Sequence, residues 1–207
     1  MSRLEHRYTA HHQTGHRLGF TFGGRDRIRV KCKWIGTGRR ILDLGCRDGT
    51  LTAAFAEGNS VIGGDIDFHA LDLGRESGRL FKTVQLDTGA GLPFASGSFD
   101  TIVCGEVLEH LAFPAFLSEE AARMLAPGGL LAGSVPNAYR LKNRLTFLTD
   151  RPFDPDPTHL HFFSISGLRQ LLEEKYEEIE IQPAIGRFVF LSPALFANSL
   201  IWRCRRR

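Results

Sequence analysis

From residue 41 onward, short β-branched apolar runs alternate with stretches whose apolar positions recur at three and four residues. The runs predict strands at 41–45, 60–65, 82–86, 99–104, 129–135 and 177–182, with a last, antiparallel strand at 187–191. Between them the spacing predicts helices at 49–57, 67–80, 114–125 and 164–174. The last opens on Ser164 and carries the apolar face Leu168, Leu171 and Leu172. Strand and helix in alternation imply a mostly parallel sheet covered on both faces, an α/β fold of one domain.

In open sheets of this kind ligands bind beyond the carboxyl ends of the strands. Those ends carry Asp43 and Gly45, then Asp65, then Asp87, then Gly105 and Glu106, which predicts a polar cleft. One segment breaks the rhythm. Residues 137–163 hold three prolines, four basic residues and two histidines between a strand and a helix, and a loop of that length is expected to wall the site.

Charge changes the picture mainly at one end. Residues 1–40 contain ten Lys/Arg against Glu5 and Asp26, a balance of +8 in a chain of net +3. This predicts a basic arm with a helix over residues 1–38, either solvated and partly disordered or in contact with phosphates or anionic lipid. Residues 39–191 then form the main domain, and 192–207 a helix begun at Ser192-Pro193 with a basic tail. The apolar-then-basic stretch 187–207 keeps peripheral membrane contact open as a second reading. Four scattered cysteines suggest neither a zinc knuckle nor a disulfide framework, and no apolar stretch is long enough for a signal or a span. A cytoplasmic protein is expected, with peripheral membrane contact as the alternative.

The segment "RRILDLGCRDGT", residues 39–50, resembles a nucleotide-binding turn, but Arg47 and Thr50 stand where a dinucleotide fingerprint needs its second and third glycines. The spacing that fits is acid-x-Gly-x-x-x-Gly: Asp43, Gly45, Gly49. With "VIGGDID", "LDTGAGLPFASGSFDTIVCGEVLEHL" and "LAPGGLLAGSVPN" in this order, the chain resembles the class I S-adenosylmethionine-dependent methyltransferases over most of residues 39–183.

The resemblance implies a Rossmann-like, seven-stranded sheet and S-adenosylmethionine as cofactor. It implies that Gly45 and Gly49, with Cys46 and Arg47 between them, lie against the methionyl part. Asp43 would orient the loop, Asp65 would accept the ribose hydroxyls and Ile66 would pack on adenine. Asp87 and Thr88 would meet the adenine edge, and Gly105 and Glu106 would border the methionyl chain. Arg47 either lies along the carboxylate or points outward; if it needs a positive φ, the turn is strained.

Transfer of a methyl group to a hydroxyl needs an aligned oxygen and a proton acceptor. In "GEVLEHL", Glu106, Glu109 and His110 have the spacing of one helical face, and "PTHLHFFS" adds His159 and His161. The pattern E-x-x-E-H, V-P-N and H-x-x-x-F-S looks like the ubiquinone-type O-methyltransferases and, more distantly, the small-RNA 2′-O-methyltransferases. That resemblance implies His110 and His159 as catalytic, and a divalent metal on Glu106, Glu109, His110 and His159 as an open question.

The reading is a methyltransferase acting on an oxygen of a small molecule, walled by Tyr139, Phe147, Phe153, Phe162 and Phe163 unless these are core. A non-catalytic S-adenosylmethionine-binding module and an RNA 2′-O-methyltransferase are the alternatives. DNA is not expected as a partner.

Overall fold

The structure is a computed structural model that describes residues 2–20, 24–154 and 156–207. Two helices precede the sheet: α1 (Arg3–Thr14) and α2 (Gly24–Ile35). Then follow β1 (Arg40–Leu44), α3 (Ala53–Ala56), β2 (Ser60–Asp65), α4 (Phe68–Glu76), β3 (Thr83–Gln85) and β4 (Phe99–Gly105). After a 3-10 turn at Leu108–His110 come α5 (Pro114–Met124), β5 (Leu125–Pro136), α6 (Leu141–Phe147), α7 (Ile165–Glu173), β6 (Tyr176–Ala184), α8 (Pro193–Phe196) and β7 (Ser199–Arg206).

The seven strands form one sheet in the order β3-β2-β1-β4-β5-β7-β6. Strands β1 to β5 pair in parallel, with Asp43 beside Gly63 on one side and Val103 on the other. β7 runs antiparallel to both β5 and β6. The strand order reverses at β1, whose right-hand neighbour is β4, so the crevice between their carboxyl ends is the place where such sheets take ligands.

Alternation along the strands builds two cores. Leu42, Leu44, Ile102, Cys104, Leu131 and Val135 face α5 and α7. Ile41, Val103, Leu130 and Ala132 point the other way, onto Ile35 of α2 and Phe55 of α3. Asp43 and Ser134 have the parity of this second face, so the sheet turns two polar side chains toward α2.

Four expectations need correction. Helix α1 of the N-terminal segment is formed and docked along one side: Ser2 and Glu5 cap it reciprocally, and Glu5 and His12 are buried while Arg3 and Arg7 face solvent. The last strand is Ser199–Arg206, whereas 187–191 is a turn. β5 takes its antiparallel partner where Leu200, Trp202 and Cys204 alternate inward; Gly133 on β5 has no side chain because the Trp202 indole fills that place. The terminal arginines are therefore part of the sheet: Arg203 pairs with Glu180 at 2.6 Å and lies over Trp34, and Arg205 pairs with Glu178. Finally, α8 has only four residues, and the predicted helix 67–80 stops at Glu76 because Gly78 takes a positive φ. No described helix is long and apolar enough to cross a membrane.

Candidate active site

A cavity of about 770 Å³ opens at the carboxyl ends of β1, β2, β4 and β5. Asp43, Gly45, Cys46, Arg47, Asp65, Ile66, Asp87, Thr88, Gly105 and Glu106 all line it, as do His110 and His159. Gly49 does not. Its positive φ lets the turn fold back, with its N–H on the Cys46 carbonyl at 2.9 Å, and a Cβ there would strike Leu80. It shapes the turn through packing.

The turn after β1 is fixed by main-chain bonds. Gly45 and Cys46 N–H both donate to the Gly64 carbonyl, and Val107 sits where a Gly45 Cβ would stand. Arg47 has φ 51°, the left-handed region that costs a non-glycine residue about 1 kcal/mol. Three bonds offset that. Its N–H donates to Asp65 Oδ2 at 2.7 Å, and its guanidinium donates to the carbonyls of Arg17 and Phe20, each at 2.8 Å. Arg47 therefore points toward the N-terminal segment and straps residues 17–20 over the turn.

The carboxylates differ in what holds them. Asp65 accepts the N–H groups of Arg47 and Asp67; burial nonetheless raises its pKa, with both N–H bonds opposing. Asp43 accepts the Thr52 hydroxyl at 2.6 Å and is pushed up to about 6, chiefly by burial. Thr52 and the Lys31 ammonium oppose that rise. Lys31, fully buried, brings Nζ to 3.4 Å from Ser134 Oγ and 2.6 Å from the place of a Gly105 Cβ. The missing side chain of Gly105 thus leaves room for a buried ammonium behind the cavity wall, close enough to Asp43 to oppose the rise of its pKa.

The other half of the cavity is assembled from distant segments. Asp154, Asp156 and Thr158 fold into consecutive Asx turns, with Asp156 N–H on Asp154 Oδ1 and Thr158 N–H on Asp156 Oδ1. The Thr158 hydroxyl donates to Asp156 Oδ1 at 2.6 Å and lies 3.0 Å from His110 Nδ1, which is also 3.2 Å from the Thr158 carbonyl. Since the hydroxyl hydrogen is used on Asp156, His110 Nδ1 must carry its own proton, and Nε2 holds the lone pair. Burial, then the neighbouring His159, lower the His110 pKa to about 4, so the ring is neutral at neutral pH.

His159 stacks 4.7 Å from His110 between two acids: Nδ1 is 2.8 Å from Asp154 and Nε2 3.5 Å from Asp156. Burial pushes the Asp156 pKa up, but the Thr158 bonds, His159 and Arg17 together hold it far below the ordinary range. His161 turns to the Ala112 carbonyl and is absent from the cavity wall.

Helix α1 closes this half. Thr9 and His12 both bond Asp67, at 2.8 Å each, while Arg17 pairs with Asp156 at 2.5 Å. This places the Tyr8 ring edge-on to His110 at 5.9 Å, its hydroxyl pKa pushed up to about 12 by burial, and His11 against Asp156. Of the expected aromatic wall only Phe153 lines the cavity; Tyr139, Phe147 and Phe162 are exposed and Phe163 packs on the core.

Glu106, Glu109 and His110 do not share a helical face. Glu106 takes φ 58° and only Leu108–His110 are coiled, in a 3-10 turn. Glu109, His110 and His159 bring ligand atoms within 4.8 Å of one another, without Glu106. A carboxylate and two imidazoles are a donor set that suits zinc or a similar ion.

A topological switch point whose strand ends offer a glycine turn and two buried acids defines a nucleoside-cofactor site on a doubly wound sheet. The methyltransferase-domain family matches residues 14–175, and the chain belongs to that family, whose cofactor is S-adenosylmethionine. The chain is 34% identical over 121 residues to a ubiquinone biosynthesis O-methyltransferase of Thiobacillus denitrificans, covering 52% of this chain and 51% of that protein. It is 36% identical over 109 residues to the same-named protein of Paracidovorax citrulli, covering 48% and 44%. The chain thus spans about half the length of the curated relatives it matches. A SAM-dependent methyltransferase structure from Thermotoga maritima superposes with TM-score 0.74 at 16% identity over 100% of both chains. One from Archaeoglobus fulgidus gives 0.71 at 19%, over 87% of this chain and 92% of that one. At such identity the likeness is one of fold.

Proposed function

We propose that this methyltransferase methylates an oxygen of a small molecule, with His110 as the general base. The observation that carries the reading is the tautomer of His110, whose Nδ1–H is committed to Thr158 and whose Nε2 is left as the acceptor. S-adenosylmethionine, when bound, supplies an electrophilic methyl group on a sulfonium. Asp65 would receive the ribose, Asp87, Thr88 and Ile66 would border the adenine, and the Gly45 turn would hold the amino-acid end. His110 Nε2 is placed to accept the proton that the acceptor hydroxyl must lose when it is methylated. The proton ends on the imidazole, which Thr158 orients and whose new charge Asp156 offsets.

The test is transfer from methyl-labelled cofactor to matched phenol, amine and carbon acceptors, read by mass spectrometry. Label on the phenolic oxygen is expected. Label on the amine alone, or cofactor binding with no transfer to any acceptor, would overturn the reading, the second outcome in favour of a binding module.

The trio Glu109, His110 and His159 supports a second reading, in which a divalent ion there polarises the acceptor oxygen. Chelation abolishes transfer on that reading and leaves it unchanged on the first. Exposed Phe147, packed edge-on against Phe153 of the cavity wall, favours an amphipathic acceptor.

A further inference from the structure

The acceptor half of the cavity contains a cation that neither the cofactor turn nor the histidine cluster uses. Arg140, lining the cavity just past β5, is held between two neutral amides: Nε donates to Asn143 Oδ1 at 3.0 Å and Nη1 donates to Asn198 Oδ1. Both amides are themselves set in place. Buried Asn143 donates its Nδ2 to the Ala138 carbonyl at 3.0 Å, and the Asn198 N–H donates to the Ile185 carbonyl. Beneath them Asn137, 3% exposed, bridges the carbonyls of Ala194 and Ala197.

The other two arginines of the cavity wall are spoken for, Arg17 by Asp156 and Arg47 by two main-chain carbonyls. Among the described residues, no carboxylate pairs with Arg140 and no group accepts from its Nη2. The amides orient the guanidinium without discharging it. A half-buried charge met only by dipoles is costly, and a guanidinium with one edge open matches the two oxygens of an anion.

We propose that Arg140 binds an oxyanion carried by the methyl acceptor, a carboxylate or a phosphate monoester, and so fixes which end of the acceptor faces His110. The inference rests on the reading of this cavity as a methyl-transfer site. It does not concern the carboxylate of the cofactor, which the turn after β1 would meet on the other side of the cavity.

The experiment is calorimetry on protein saturated with S-adenosylhomocysteine, using 3,4-dihydroxybenzoate, the neutral 3,4-dihydroxybenzamide and inorganic phosphate. The benzoate should bind at least about tenfold more tightly than the benzamide, as a charge-assisted pair is worth, or phosphate should bind and compete. Arg140→Gln, which can still bond both amides, should bring the benzoate to the level of the benzamide and abolish phosphate binding, with S-adenosylhomocysteine affinity unchanged. A fall in oxyanion affinity with rising salt gives the same answer on the unaltered chain, should the variant fail to fold. Equal binding of the two aromatic probes without phosphate binding, insensitivity to Arg140→Gln, or no oxyanion binding at millimolar concentration overturns the inference alone. Failure of S-adenosylhomocysteine to bind overturns the methyl-transfer reading first, and this inference with it.

Discussion

The two halves of the cavity are built by different means. At the ends of β1 and β2 the geometry is held by main-chain N–H groups of neighbouring strand ends: Gly45 and Cys46 on the Gly64 carbonyl, Arg47 and Asp67 on the Asp65 carboxylate. At the ends of β4 and β5 it is held by side chains from α1, the 3-10 turn and the loop 137–163, brought together across more than a hundred residues of sequence. Adjacent strand ends fix such a turn with one carboxylate and a few main-chain groups. A side-chain cluster exists only if each segment docks. The first half is therefore suited to a constant cofactor and the second to a variable acceptor, and substitutions should separate the two.

The largest separation is expected at His110. His110→Ala should lower the turnover rate by about 10²–10⁴, the usual loss for a general base, while cofactor affinity stays within about threefold. Equal loss in both would mean that the two halves are one unit.

The second expectation concerns protonation. With a folded pKa of about 4, His110 binds fewer protons than the unfolded chain between pH 4 and 6.5. Its contribution to stability is therefore present above pH 6.5 and lost as pH falls toward 4. Asp43 acts in the opposite sense. Pushed up to about 6, it favours the fold at low pH, and that contribution is lost as pH rises through 6. The two partly cancel in a melting curve, so the imidazole titration by NMR is the clean readout. A His110 midpoint near 6.5 would show that the ring is not buried as described.

A smaller effect should follow from undocking α1. Asp67→Asn weakens the bonds to Thr9 and His12 and should cost about 1–2 kcal/mol, since Asp67 is buried. Amide exchange in residues 3–14 should accelerate while β1 and β2 stay protected. Uniform acceleration would deny that α1 is a separable part.

The smallest effect is predicted for Arg47→Gly. Relief of the left-handed cost, about 1 kcal/mol, nearly balances the loss of two carbonyl contacts. The melting temperature should hardly move, but exchange at residues 17–20 should rise.

The same contrast explains what could be read from the sequence. The cofactor half was legible because strand ends recur with the alternation of apolar runs: Asp43, Gly45, Asp65, Asp87 and Gly105 are local features of strands that the pattern predicts. In the other half Glu106, Glu109, His110, His159 and Phe153 stood out, but so did His161 and four aromatics that do not line the cavity, since such contacts depend on which segments meet. Lys31 left a signal that passed as solvated charge, a lysine in register with Ile28 and Ile35 on an otherwise apolar helical stripe. Asp156 and Thr158 had one too, in the D-x-D-x-T run of successive Asx turns. Tyr8 and His11 had none, because nothing local announces that a polar helix docks on a cleft. The misplaced last strand has a similar origin: "FVFL" is as apolar as "SLIW", and only pairing with β5 and β6 chooses between them.

The central claim is that the β1 and β2 ends bind S-adenosylmethionine independently of the histidine half. Calorimetric titration with S-adenosylhomocysteine into the wild-type chain, Asp65→Ala and His110→Ala tests it most directly. The account predicts matching micromolar-range binding for wild type and His110→Ala, with loss of at least about a hundredfold, roughly 2.7 kcal/mol, in Asp65→Ala. No binding to the wild-type chain, or equal affinity in wild type and Asp65→Ala, would contradict it.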